Sequence, residues 1–147
     1  MELEAPVEEM TVQACTNTNF VETVPEVDEV GKAFVDQYYY MFDHSRGSLL
    51  PLYESYSTMS FEGEKIEGAH KISVKLASLP FDQCKHHVST IDCQSSGVAG
   101  GIIVFVSGTL QLPGEEHHLR FSQMFHLVRT LEGNFYIQND IFRLNYG

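Results

Sequence analysis

The chain has no tryptophan, three cysteines and only nine lysine or arginine residues in a length of 147. The cysteines (Cys15, Cys84 and Cys93) are an odd set with no Cys-x-x-Cys pair, which argues against a disulfide framework and against a zinc site. Cys84 and Cys93 fall in strand-like sequence and read as small buried hydrophobes. The few basic residues form no stripe, so the electrostatic footprint on which nucleic-acid affinity rests is missing. The longest apolar stretch, around Gly100–Leu110, is far too short to cross a bilayer, and no membrane insertion is expected. The opening MELEAP has neither a basic n-region nor an apolar h-region, so no signal peptide is expected. A reduced, soluble compartment follows as the expectation: cytosol, nucleus or both. There is also no GxGxxG, P-loop, HExxH or GxSxG, which leaves nucleotide binding and the common hydrolase schemes without local support.

What is present suits one domain with a real core. Hydrophobic residues make up 43% of the chain, and ten Phe and seven Tyr supply much of the core volume. The formal charge of −11 is unevenly spread. Residues 1–29 carry −8 with no Lys or Arg, and the remainder is only −3. Residues 1–25 are expected to be a flexible acidic tail, and residues 26–147 the folded domain. An acidic surface suits a basic patch on a protein partner, mainly by speeding encounter.

Hydrophobic spacing predicts a helix over Pro25–Asp43, with Val27, Val30, Phe34, Tyr38 and Met41 on one side. A short helix over Ser48–Tyr53, a hairpin of Thr58–Phe61 with Lys65–Ile66, and a helix over Ala69–Ser78 follow. Four strands are expected after that: Cys84–Cys93, Ile102–Leu110, Leu119–Val128 and Phe135–Leu144, joined as an antiparallel meander. Ile102–Leu110 is nearly all apolar and reads as a strand covered on both faces. Period-two alternation assigns Ile137 and Ile141 to one face of the last strand, and Tyr136 and Phe142 to the other. Helices can cover only one face of such a sheet, so a homodimer joined sheet to sheet is expected.

Candidates for chemistry are few. His86–His87 and His117–His118 are adjacent pairs, and adjacent strand residues point to opposite faces, so neither pair chelates one ion. His86 reads equally as a pocket-lining group or as a satisfied, half-buried imidazole. Asp43, Asp92 and Asp140 are possible general bases in a cavity; the plainer reading is that each caps a turn or pairs with Arg143, Lys85 or Arg46.

The segments VGKAFVDQYYYMF (Val30–Phe42), MSFEGEKIEG (Met59–Gly68), KLASLPF (Lys75–Phe81) and NDIFRLNY (Asn139–Tyr146) together resemble the nuclear transport factor 2 family. The resemblance covers about residues 27–147, with FEG, SLPF and NDIFRL in order, and GIIVFVSGTLQLPGEEHHLRFSQMFHL is similar to plant members. It implies an α+β fold: a cone-like, strongly bent antiparallel sheet packed on three N-terminal helices, the nuclear transport factor 2-like or cystatin-like α+β roll. It also implies a homodimer and a hydrophobic cavity at the mouth of each subunit. Members bind Ran-GDP and phenylalanine-glycine repeat nucleoporins and import Ran, so the implied places are the cytoplasm and nucleus, enriched at the nuclear envelope and pore. Neither a cofactor nor enzyme activity is implied. Position by position, the resemblance puts Phe61, Leu79, Cys84 and Phe142 on the cavity wall. It makes Glu62 the rim carboxylate, His86 a pocket-edge histidine, and Glu115 and Glu116 further rim acids. Ile141 matches an apolar dimer-face position. Val27 or its neighbours stand where animal members have an aromatic for nucleoporin repeats. Two other functions use the same fold: isomerases or dehydratases, for which Asp92 and His86 would be the candidates, and dimeric peptide-binding scaffolds.

Overall fold

The computed structural model describes residues 24–97 and 99–145. The acidic tail expected over 1–25 lies outside the described residues except for its last two positions, which already belong to helix α1 (Val24–His44). After α1 come a 3-10 segment (Arg46–Leu52), strands β1 (Tyr53–Phe61) and β2 (Glu64–Glu67), and helix α2 (Ala69–Ser78). Four long strands complete the chain: β3 (Lys85–Ser95), β4 (Ile102–Gln111), β5 (Leu119–Arg129) and β6 (Phe135–Asn145). No described helix is long and apolar enough to cross a membrane.

The fold is the expected α+β roll, with one difference in the sheet. All six strands form a single sheet in the order β2-β1-β6-β5-β4-β3. The pairs are antiparallel except β1 with β6, which run parallel, so the sheet is mixed and not a pure antiparallel meander. Helix α2 carries the chain from edge strand β2 to the opposite edge strand β3, and the meander β3 to β6 then runs back across the sheet until its last strand lies beside β1. Pro51, expected near the start of a second helix, sits inside the 3-10 segment, where the shorter turn tolerates its missing N–H.

The core lies between α1 and the inner face of the sheet. Val27, Val35, Tyr38, Tyr39 and Phe42 are the buried stripe of α1. They meet Ile102, Val104, Val106 and Leu110 of β4, and Phe121, Phe125 and Leu127 of β5. Two glycines allow close approach. A Cβ on Gly31 of α1 would collide with Cys93 Sγ on β3, and one on Gly108 with the His87 carbonyl oxygen beside the bulge in β3.

Two expectations about the outer face change. β4 is covered on one side only: Ile103 and Phe105 are 39% and 44% exposed in the single chain. Ile137, expected with Ile141 on the dimer face, is fully buried, while Ile141 is 44% exposed. The cause is a bulge. Ile137 pairs with Leu127 but Asn139 pairs with His126, so Gln138 is an extra residue. The alternation reverses there, and Ile137, Asp140 and Phe142 all face inward.

Candidate functional site

One end of the sheet gathers most of the residues singled out by sequence. The register brings together the start of β3, the β4–β5 loop, the end of β6 and the β1–β2 turn. Glu62 and Gly63 are the two turn residues between Phe61 and Glu64, both with positive φ (51° and 90°), as a tight hairpin of matching twist requires. That turn places the Glu62 backbone N–H on the Phe142 carbonyl at 3.0 Å. It also lets the Glu62 carboxylate accept a hydrogen bond from the Leu144 N–H. Glu62 is therefore fixed at the end of the cone by both its backbone and its side chain. Arg143 reaches the adjacent Gly63, and Lys75 of α2 pairs with Glu64 at 2.9 Å.

Beneath this turn the rings pack in a stack. Phe61 lies face to face on Phe142 with centroids 4.6 Å apart, and Phe142 stacks on Phe121 at 5.7 Å. Phe81 flanks Phe61 at 6.3 Å, and the Lys75 ammonium sits 5.5 Å over the Phe61 ring. Phe142 and Cys84 are the deepest members, at 3% and 2% exposure, and Phe61, Leu79 and Phe81 are also buried, at 8–9%. The side chains expected to line a hollow are thus brought together, but Phe61 and Phe142 fill the space between themselves. Glu115 and Glu116 are exposed in the β4–β5 loop at this same end, and their carboxylates add to the negative charge there.

A second cluster holds the wall in place. His86 Nδ1 lies 2.7 Å from Asp43 Oδ1, the His86 backbone N–H donates to Asp43 Oδ2 at 2.9 Å, and the Cys84 thiol donates to Oδ1 at 3.3 Å. The imidazole is enclosed by Tyr39, Phe42 and Phe121 and its side chain is 2% exposed. Of the two readings of His86, the structure supports the satisfied imidazole. Burial alone would raise the Asp43 carboxyl; the bonds from His86 and Cys84 outweigh it and hold Asp43 below the usual range. Burial, then the Asp43 charge, pushes the Cys84 thiol up to about 12. Asp43, Cys84 and His86 are three potential metal ligands within 4.8 Å of one another, drawn from α1, the loop before β3 and β3 itself. A metal would have to displace the thiol proton that Asp43 already binds. Arg46 completes the clamp: it donates to the Leu76 and Leu79 carbonyls at 3.1 and 3.4 Å and to Asp82 at 3.1 Å. Sequence spacing carried no sign of these contacts, because they join segments 30 or more residues apart.

The three aspartates considered as bases separate clearly. Asp92 is exposed on β3. Asp43 is engaged as described. Asp140 is fully buried and none of the expected Arg or Lys partners meets it. Tyr53 donates to Asp140 Oδ2 at 2.8 Å, Tyr38 to the same oxygen at 3.5 Å, and the Gln123 amide to Oδ1 at 2.7 Å. Tyr39 in turn donates to Gln123 at 2.6 Å. Burial raises Asp140 to about 6, with the three donors pulling the other way. A carboxylate this enclosed has no accessible surface on which to meet a substrate proton.

Comparison with known proteins sets this geometry in a family. The family model described as the nuclear transport factor 2 (NTF2) domain matches residues 30–144. Nuclear transport factor 2B of Arabidopsis thaliana is 62% identical over 119 residues, 81% of this chain and 94% of that protein. Nuclear transport factor 2 of Oryza sativa subsp. japonica is 54% identical over 122 residues, 83% and 99% of the two chains. Among solved structures, nuclear transport factor 2 from Cryptosporidium parvum superposes with a TM-score of 0.78 at 36% identity, covering 86% of this chain and all of that one.

Proposed function

The chain belongs to the nuclear transport factor 2 family, and from that membership we propose that it is a homodimeric, non-enzymatic carrier that binds Ran-GDP and phenylalanine-glycine repeat nucleoporins and imports Ran into the nucleus. Its place is the cytoplasm and nucleus, with enrichment at the nuclear pore. The observation that carries this reading is the end of the cone: a stack of phenylalanines buried just beneath a turn whose carboxylate is held in position by Leu144. An aromatic anchor supplies desolvation, and the acids Glu62, Glu115 and Glu116 supply orientation and encounter rate toward a basic partner. A partner side chain enters by parting the outermost rings, Phe61 and Phe81.

The outward sheet face supports the dimer. Ile103, Phe105 and Ile141 leave an apolar area uncovered on β4 and β6, which a second copy would bury. Val27 is 5% exposed, packed into the core, so repeat binding would use the groove between subunits and not this side chain alone.

Glu62→Lys tests the Ran reading. Calorimetric titration with GDP-loaded Ran should show at least about a tenfold loss of affinity, with GTP-loaded Ran as the specificity control and dimer mass unchanged. Wild-type affinity for Ran-GDP in that variant would overturn the assignment.

A further inference from the structure

One polar atom on the outward sheet face has no partner. His126 Nε2 is buried and makes no hydrogen bond. The other ring nitrogen has only a 3.4 Å contact with Asn139 Oδ1. The register sets His126 between Ile103 of β4 and Asn139 of β6, with Phe105, Met124 and Ile141 next along the same face. On β3, Gln94 stands opposite Ile103 and Asp92 opposite Phe105; on β1, Thr58 stands opposite Asn139. The charged and titratable groups that the register puts on this face are Lys65 and Glu67 of β2, Lys85, His87 and Asp92 of β3, Arg120 of β5 and Arg143 of β6, and none is a ladder neighbour of His126. Asp140 follows Asn139 but points to the opposite face.

We propose that His126 makes the association of two copies through this face pH-dependent, the dimer loosening as the imidazole gains its second proton. The inference rests on the sheet-to-sheet dimer proposed above. In a single chain the half-buried ring can turn to water when it is protonated. Beneath a second sheet it cannot, and a cation enclosed by isoleucine, methionine and phenylalanine with no counter-ion is strongly disfavoured. Neutral imidazole carries no such penalty. Each dimer buries two copies of the residue, so the effect enters twice. Lowering the pH from about 7.5 to about 5.5, across the range in which imidazoles gain a proton, is expected to raise the dimer dissociation constant by about 10- to 100-fold.

Sedimentation velocity on the full chain over a concentration series, at both pH values, tests this with wild type, His126→Leu and His126→Gln. Wild type should weaken on acidification, while both variants, which cannot gain the charge, should keep one dissociation constant. Gln serves as the readout if Leu perturbs folding. An unchanged wild-type constant, or equal weakening in the variants, overturns the role of His126 while leaving the dimer intact. A monomer at about pH 7.5 in wild type and variants alike instead overturns the dimer on which the inference rests.

Discussion

Replacing Asp140 by Asn should remove a pH dependence of stability that wild type carries. In the folded chain this carboxyl is raised to about 6, against 3.8 for an ordinary one. A group raised on folding stabilises the native state below its unfolded value, and that contribution is lost as pH rises through the folded value. The ionised form therefore costs about 3 kcal/mol relative to the protonated form once the pH is above about 6. Between pH 5 and pH 7 the change is about 1 kcal/mol, with stability falling as pH rises. Asparagine keeps the shape, and its amide oxygen can still accept from Tyr53. Its NH2 then faces the Gln123 amide, which can flip to accept, its own NH2 turning to donate to the Tyr39 hydroxyl. Urea unfolding at fixed protein concentration, in parallel for both proteins at pH 5, 6 and 7, gives the result as a difference. The gap should shift by about 1 kcal/mol in favour of the variant from pH 5 to pH 7. Because the difference is taken between proteins, contributions common to both cancel. A gap independent of pH would refute the reasoning, whatever its size.

Other outcomes follow from packing and ionisation. Gly31→Ala should destabilise by about 1–3 kcal/mol despite the better helix propensity of alanine, because its Cβ meets Cys93 Sγ. Adding Cys93→Ala should recover most of that loss in thermal unfolding, since the opposing sulfur is gone. Cys84, 2% exposed and pushed up to about 12, should resist iodoacetamide at about pH 8 in the native protein and react only after unfolding, as peptide mass spectrometry would read.

Much of the fold was legible because its signals are local. Helix α1 and the turn at Glu62-Gly63 lie within short windows and both appear where periodicity and turn chemistry place them, although the deepest stripe takes in Val35, Tyr39 and Phe42 while Val30, Phe34 and Met41 are only half-buried. The face assignment of Ile137 failed for an equally local reason. One extra residue at Gln138 reverses alternation, and no feature of NFYIQNDIF announces it. The parallel contact of β1 with β6 was illegible because pairing over such a separation leaves no periodic trace. At the candidate site, Phe61, Glu62, Leu79, Cys84 and Phe142 do converge on one end of the sheet. The resemblance supplied that grouping; hydrophobicity alone would have assigned the rings to core. Asp43's hold on His86 and Cys84 needed coordinates, since a carboxylate's partner is set by tertiary position and not by its sequence neighbours.

The insertion of β6 between β1 and β5 has a consequence for biosynthesis. The β1–β2 hairpin leaves the ribosome about 80 residues ahead of the strand that joins it to the rest of the sheet, as the pairing of Phe61 with Phe142 shows. Until the final segment emerges, the edges of β1 and β5 that β6 will occupy have no hydrogen-bonding neighbour. The sheet is therefore completed only after the last strand is made, and until then two unpaired strand edges are open to edge-to-edge pairing. A stop codon ahead of the NDIFRL segment would leave two half-sheets with nothing to join them.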